Sequence, residues 1–540
     1  MSSEDLTDLK NGNSIVRVET KRIASFGLAG ACSGFFVEPD KVVTNIHGIT
    51  ERKPILVRSV DGKTTWKVKG VAAFDAKNDL VILQVVGEGT PLPLVNSDDV
   101  QNGEPITVVG FPYAEYKVTE GSVQDHQYSD ERIRMKADIS YGNSGSPILN
   151  EKGQVIGIAS YASNDSYAWA VTSNLIKTLI ERVEPAEPLR TWRNRKIIRS
   201  YTFYLQGKRN DLKKRFRKAI VDYDKALKLN PKLTEAYEDR GVVKDELSDF
   251  EGSISDYDSA IRLNPEKASL YNNRGLAKSE LGDVEGAIAD YDKSIELKPN
   301  DTDAYNNRGL AKSELGDKKG AISDYDKAIK INPNEADFYS NRGIAMEDLG
   351  NYAEAIVDYD KAIKLNPKYA GFYNNRGVAK SWLGDVEGAI ADYEKAIKLN
   401  PQDTSPYRNR VILRTNLAHS ESAKGNLKRA ENLYQAAIED CTAAIKIDPE
   451  QVENYYSRGD IQFKVGILKE EQGNAAEAQQ RYEKSIEDYS QVIKRNPEHS
   501  RAYFDRGLAK EALGQQDAAK ADFQKAKELD PDVEKSRLEL

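Results

Sequence analysis

The chain has 540 residues, a formal net charge of −8 and 30% charged residues. That length exceeds one hydrophobic core, so two or more domains are required, and the mild acidity argues against a whole-chain nucleic-acid binder. The two cysteines, Cys32 and Cys441, are too far apart to suggest a disulfide framework. No run approaches the ~20 apolar residues of a membrane helix, and the acidic N-terminus lacks an apolar signal core. A cytoplasmic protein with no membrane contact is the expectation.

In chain order, residues 14–184 read as a β domain. Short apolar runs (SIVRV, GFFV, KVVTNI, DLVILQVV, PITVVGF, QVIGIAS) are separated by Gly, Pro, Asp and Asn clusters, the pattern of an all-β sandwich or barrel. LIKTLIERVE, near 175–184, has helical spacing and closes the domain. Residues 185–196, PAEPLRTWRNRK, read as a linker. From 197 to 540 the rhythm becomes a repeat. Prolines fall at 231, 265, 299, 333, 367 and 401, an interval of 34 each time, and each closes a helix–turn–helix copy such as YNNRGLAKSELGDVEGAIADYDKSIELKP. That period and punctuation are the tetratricopeptide (TPR) signature, so an all-α solenoid of about nine repeats is expected. The next prolines, at 449, 497 and 531, give intervals of 48, 48 and 34. In repeats 402–449 and 450–497 the tyrosine-to-turn and turn-to-proline distances are 18 and 24, against 11 and 17 in the repeat of Tyr271. Each helix there has gained seven residues, about two turns, which nearly preserves its apolar face.

Acyl transfer by a serine needs a base, a carboxylate to hold that base, and backbone N–H donors for the oxyanion. Of four histidines, His419 and His499 lie in the repeats and His126 reads as exposed loop. His47, in KVVTNIHGI, follows a strand-like run that can present it rigidly.

GFFVEPDKVVTNIHGI, NDLVILQV, YGNSGSPILNEKGQVIGIAS and WAVTSNLI together resemble, in order, the histidine, acid, serine and closing segments of trypsin-like proteases, above all the Deg-type (high-temperature-requirement) branch. The resemblance covers most of residues 14–180. It implies a chymotrypsin-like double β-barrel with Ser144 as nucleophile, His47 as base and Asp79 as the carboxylate, Asp75 being a nearby competitor. The N–H groups of Gly142 and Ser144 would form the oxyanion hole. Asn143 stands where trypsin-like zymogens carry aspartate, so activation by N-terminal cleavage is not expected, and Ser146 replaces a usual glycine. Asp138, six residues before Ser144, matches trypsin's specificity position. With Ser160, Tyr161 and Ala162 as the S1 wall, it implies cleavage after Lys or Arg. No cofactor and no metal are implied.

The repeats imply binding of a protein or peptide on a concave face bearing Asn272, Asn306 and Asn374. Glu246, Glu280, Glu314 and Asp348 stand where a carboxylate clamp would need bases, and Trp382 stands there in the next copy as an interaction hot spot. From 190 to 218, twelve Lys or Arg face one acid, Asp211. This is the one segment that could take nucleic acid, though packing on acidic protein surface is preferred. The reading is a serine endopeptidase whose TPR solenoid recruits or senses a protein partner, in a bacterial signalling or defence setting. The alternative is a TPR scaffold with an idle protease fold.

Overall fold

The computed structural model describes residues 13–20, 31–50, 54–112, 115–127, 132–139, 143–162 and 167–534. The chain forms two compact units, residues 1–266 and 267–540.

The first unit begins with two closed antiparallel barrels. One orders its strands β1 (Ile15–Thr20), β2 (Ala31–Glu38), β3 (Lys41–Asn45), β6 (Leu80–Val86), β5 (Thr65–Asp75) and β4 (Ile55–Ser59). The other orders β10 (Pro147–Leu149), β11 (Val155–Ala162), β12 (Tyr167–Thr172), β9 (Arg132–Ala137), β8 (Lys117–Gln127) and β7 (Pro105–Gly110). Closure leaves no unpaired edge, and alternation along each strand fills the interiors. In RIRMKA (β9), for example, Ile133, Met135 and Ala137 are buried. A shared core joins the barrels: Phe35, Val43 and Ile82 from the first meet Val109, Leu149 and Ile158 from the second, with Ile176 and Leu179 of α1 (Ser173–Ile180). Strands β8 and β9 lie in polar, alternating sequence that contains no apolar run, and β8 takes in His126, which was expected in a loop.

Segment 185–196 does not run free as a linker. Glu187 makes a two-way backbone pair with Val71 of β5, each N–H to the other's carbonyl at 2.8 Å. The chain then forms α2 (Leu189–Trp192), whose Trp192 is fully buried against the first barrel. Next come α3 (Lys196–Leu212), α4 (Phe216–Leu229), α5 (Thr234–Asp245) and α6 (Phe250–Leu263).

The second unit is a succession of antiparallel helix pairs, from Ala268–Glu280 with Val284–Leu297 to Ser500–Ala512 with Gln516–Leu529. Ordinary pairs have 13 and 14 residues; Ser405–Ala423, Leu427–Ile447, Val452–Glu471 and Ala475–Arg495 have 19 to 21. The glycine of the NNRG motif explains the close approach within a pair. A Cβ on Gly275, Gly309, Gly343 or Gly377 would come 2.6–2.8 Å from the ring of Tyr291, Tyr325, Tyr359 or Tyr393, each essentially fully buried. Within the second unit, Arg308, Arg342 and Arg376 of that motif tie neighbouring repeats. Arg308 reaches Asp324 of its own repeat (Nη2–Oδ1 2.5 Å) and Asp292 of the preceding one (Nη1–Oδ1 2.5 Å). Arg342 does the same with Asp358 and Asp326. These forked, partly buried pairs recur every 34 residues and set the stacking register.

Candidate active site

Strand register brings two of the expected residues together. In the β3–β6 pair Asn45 faces Leu80, so the residues just beyond these strand ends converge. Ile46 N–H and Asn45 Nδ2 both donate to the Asp79 carbonyl, at 2.9 and 3.1 Å. A single 3₁₀ turn, Ile46–Gly48, then carries His47. Asp79 has φ of 59°, a left-handed conformation that swings its carboxylate back toward that turn. One oxygen, Oδ1, accepts the His47 backbone N–H at 3.0 Å, and Oδ2 bonds His47 Nδ1. Asp75, the competitor, is occupied elsewhere: it accepts from Lys77 N (2.9 Å), Asn78 N (3.2 Å) and Asn78 Nδ2 (2.9 Å), building the turn that delivers Asp79.

This contact fixes the imidazole tautomer, with Nδ1 as donor and Nε2 left to accept. Burial alone would lower the His47 pKa, but the Asp79 charge and hydrogen bond outweigh it and hold the value above the ordinary 6.5. Asp79 is 8% exposed.

Ser144 comes from the other barrel, on the loop into β10. Its carbonyl accepts from Ser33 N of β2 at 2.8 Å, which locks the loop to the histidine-bearing barrel. Gly145 follows with φ of 86°, its N–H on Ala159 O at 2.9 Å; a Cβ there would collide with the Ser33 carbonyl and lie 2.8 Å from Thr44 Oγ1. Only glycine fits both demands. Ser146 is fully buried over Gly110, so the serine in place of a usual glycine is accommodated by a glycine facing it. Asn143 is also buried. The Ser144 hydroxyl donates to Ser160 O at 3.1 Å, and among the described residues no hydrogen bond joins it to His47. The Ser144 N–H likewise has no acceptor among the described residues.

Gly142 lies outside the described residues, as do the side chains of Tyr161 and Ala162, whose backbone belongs to β11. Asp138 differs from the expected buried pocket anion. It follows β9 with its side chain 83% exposed, and Lys117 Nζ sits 3.1 Å from its Oδ2. The reason is local: β9 alternates, and the chain leaves it with residue 138 on the solvent side beside the start of β8.

The asparagines expected to meet a partner bond one another across repeats: Asn307 Nδ2 to Asn272 Oδ1 (3.1 Å), Asn341 to Asn306 (2.9 Å) and Asn409 to Asn374 (3.0 Å). Glu246, Glu280, Glu314 and Asp348 are exposed at helix ends, Asp348 pairing with Lys318. Trp382 is 66% exposed and stacks on Tyr352, ring centroids 5.7 Å apart. The arginine–aspartate ladder was missed in the sequence, although its signal was there as an arginine and an aspartate 16 residues apart in every ordinary repeat after the first.

Two barrels with a histidine–aspartate pair on one and a serine loop on the other define a trypsin-like peptidase domain. Residues 32–158 match the family model of the trypsin-like peptidase domain. Residues 277–316 and 347–380 match a TPR repeat family, and 302–335, 324–357, 370–403 and 470–534 match tetratricopeptide repeat families. Serine protease HTRA2, mitochondrial, of Bos taurus is 33% identical over 166 residues, 28% of this chain and 36% of that protein. Serine protease HTRA1 of Xenopus tropicalis is 28% identical over 185 residues, 31% of this chain and 40% of that protein. A probable periplasmic serine endoprotease DegP-like of Ectopseudomonas mendocina is 35% identical over 137 residues, 24% of this chain and 28% of that protein. The chain thus spans little more than a third of the curated relatives it matches. It joins a trypsin-like protease domain, with homologues among the HTRA and DegP-like serine proteases, to TPR repeats. No helix of the described residues is long and apolar enough to cross a membrane.

Proposed function

We propose that this chain is a serine endopeptidase whose TPR repeats recruit or sense a protein partner. Ser144 Oγ attacks the scissile carbonyl while His47 Nε2 takes its proton. Asp79 holds the tautomer and stabilises the imidazolium. The same proton passes to the leaving amine, and water then releases the acyl group with His47 as base. The N–H groups of Ser144 and Gly142 hold the oxyanion. The observation that carries this reading is the double contact of Asp79 with His47, which leaves Nε2 as acceptor on the side of chemistry. Cleavage of an unfolded protein such as casein by wild type, and its loss in Ser144→Ala, tests it.

Cleavage after Lys or Arg is the finer reading, and it rests on Asp138. A basic substrate side chain would displace Lys117 from a solvated carboxylate, so the preference is expected to be modest. The two unpaired, buried cysteines fit a reducing compartment such as the cytoplasm. The competing reading, a TPR scaffold with an idle protease fold, draws on the Ser144–Ser160 hydrogen bond. Catalysis needs that hydroxyl to turn from Ser160 to the imidazole, which substrate or partner binding can induce.

A further inference from the structure

The start of the helical region is built into the barrel that carries His47 and Asp79. Glu184 N–H bonds Ala72 O at 3.0 Å, and Gly70 has no Cβ where the Glu187 carbonyl passes. Trp192 meets Phe74 of β5 edge-on, centroids 5.9 Å apart, and Arg195 lies 5.3 Å over the same ring while pairing with Glu187 at 2.8 Å. Two contacts reach further. Arg193 donates from both Nε and Nη2 to the carbonyl of Ile49, at 3.1 and 2.8 Å. Ile49 is the C-terminal cap of the single turn that carries His47, so the guanidinium clamps that turn from outside.

One turn into α3, Tyr201 packs against two cores at once: the barrel cluster of Ile46, Ile49, Trp192 and Ile198, and the cluster of Tyr223 and Ala219 in α4. Its phenol lies near the Asp79 carboxylate. Burial first, and then the charge of that carboxylate, push its pKa well up, so it stays neutral across any assay range. The other groups facing it are Glu235 of α5, Arg132 of β9 and Tyr204 of its own helix, whose ring is 5.9 Å away and whose hydroxyl bonds Asp239 at 2.9 Å. Asp79 also faces Cys32, whose thiol burial pushes up to about 11 and keeps neutral.

We propose that α2 and α3 form a brace through which the first helical repeat sets the geometry of the catalytic pair, with Arg193 and Tyr201 as positioning residues for His47 and Asp79. The inference rests on the peptidase reading above for its catalytic consequence, though not for its structural one. Arg193 limits outward movement of the turn, and Tyr201 orients the carboxylate oxygens that must meet both the His47 N–H and Nδ1. Neither touches substrate.

The test uses the full chain. The imidazole of His47 is titrated by NMR with selectively ¹³C-labelled histidine, His126, His419 and His499 serving as internal references, in wild type, Arg193→Ala, Arg193→Lys and Tyr201→Phe. Loss of the clamp lets His47 and Asp79 separate part of the time, so the His47 pKa falls in Arg193→Ala and recovers partly in Arg193→Lys, which keeps one donor. Tyr201→Phe removes the hydroxyl near Asp79 and moves the His47 pKa upward without changing side-chain shape. In turnover Arg193→Ala and Tyr201→Phe each lose roughly tenfold in kcat and Arg193→Lys loses less, all below the ~10²-fold cost of a full 1 Å misplacement, with KM within about twofold. An unchanged His47 titration in both Arg193→Ala and Tyr201→Phe, with only a lower Tm, would make α2–α3 a merely structural joint and overturn the proposal. A wild type without peptidase activity would remove the peptidase reading, and the titration still decides the brace because it needs no turnover.

Discussion

Asp79→Asn separates charge and tautomer from shape better than any other single substitution in the site. Asparagine tolerates the left-handed conformation that residue 79 adopts (φ 59°), so the turn survives. The side-chain oxygen can still accept the His47 backbone N–H now held at 3.0 Å. The amide then faces His47 Nδ1, which must become an acceptor. The ring proton moves to Nε2, and the base loses its ability to take the Ser144 proton. Wrong-tautomer sites of this kind lose about 10³–10⁴ in turnover, equivalent to about 4–5.5 kcal/mol of transition-state stabilisation. The assay is steady-state cleavage of a fluorogenic peptide, with KM expected within about threefold of wild type. The pH profile carries the sign. In wild type Asp79 raises the His47 pKa above 6.5, so the acid limb of kcat/KM lies above that value; in the variant only burial remains, and the limb moves down. The raised pKa also contributes folding stability that is present below the unfolded value and lost as pH rises through the folded one. The variant is therefore destabilised more at about pH 5 than at about pH 9 in urea titrations. A kcat loss below tenfold, or an acid limb that does not move, would refute the assigned tautomer.

Three other perturbations bear on separate parts of the structure. Gly145→Ala forces a Cβ into the Ser33 carbonyl at φ of 86°; strain and overpacking of about 2–4 kcal/mol are expected in urea unfolding, with at least a hundredfold loss of peptidase activity. Gly309→Ala gains up to ~1 kcal/mol of helix propensity but places a Cβ 2.6 Å from the Tyr325 ring, so a net loss of about 1–2 kcal/mol is expected, seen as a lower Tm with the His47 titration unchanged. Asp138→Ala should reduce cleavage after Arg relative to Val by less than about fivefold, since the carboxylate is exposed and already paired with Lys117. A larger selective loss would mean that substrate binding buries it.

The repeat was legible in the sequence because its signal is periodic: a proline every 34 residues and a glycine–tyrosine pair at constant offset leave little room for another fold. The β domain was legible from its apolar runs, while β8 and β9 were not, since strands with one polar face carry the signal in alternation rather than in a run. His47 and Asp79 could be found because the histidine follows a strand and the aspartate precedes one, and an antiparallel register makes those ends meet. Asp138 could not be placed from its spacing to Ser144 alone, because which way a side chain leaves a strand end depends on the pleat of β9. The role of segment 185–196 was hidden for a related reason. Proline and basic residues look like a linker until the barrel surface that Trp192, Arg193 and Tyr201 occupy exists in three dimensions.

The central claim is that Ser144, His47 and Asp79 act as one nucleophilic unit. A fluorophosphonate offered to the full chain tests it most directly, with the adduct located by peptide mapping. Labelling confined to Ser144, lost in Ser144→Ala and slowed at least a hundredfold in Asp79→Asn, is the expected result. Labelling of another residue, or labelling of Ser144 at the same rate when Asp79 is replaced, would contradict it.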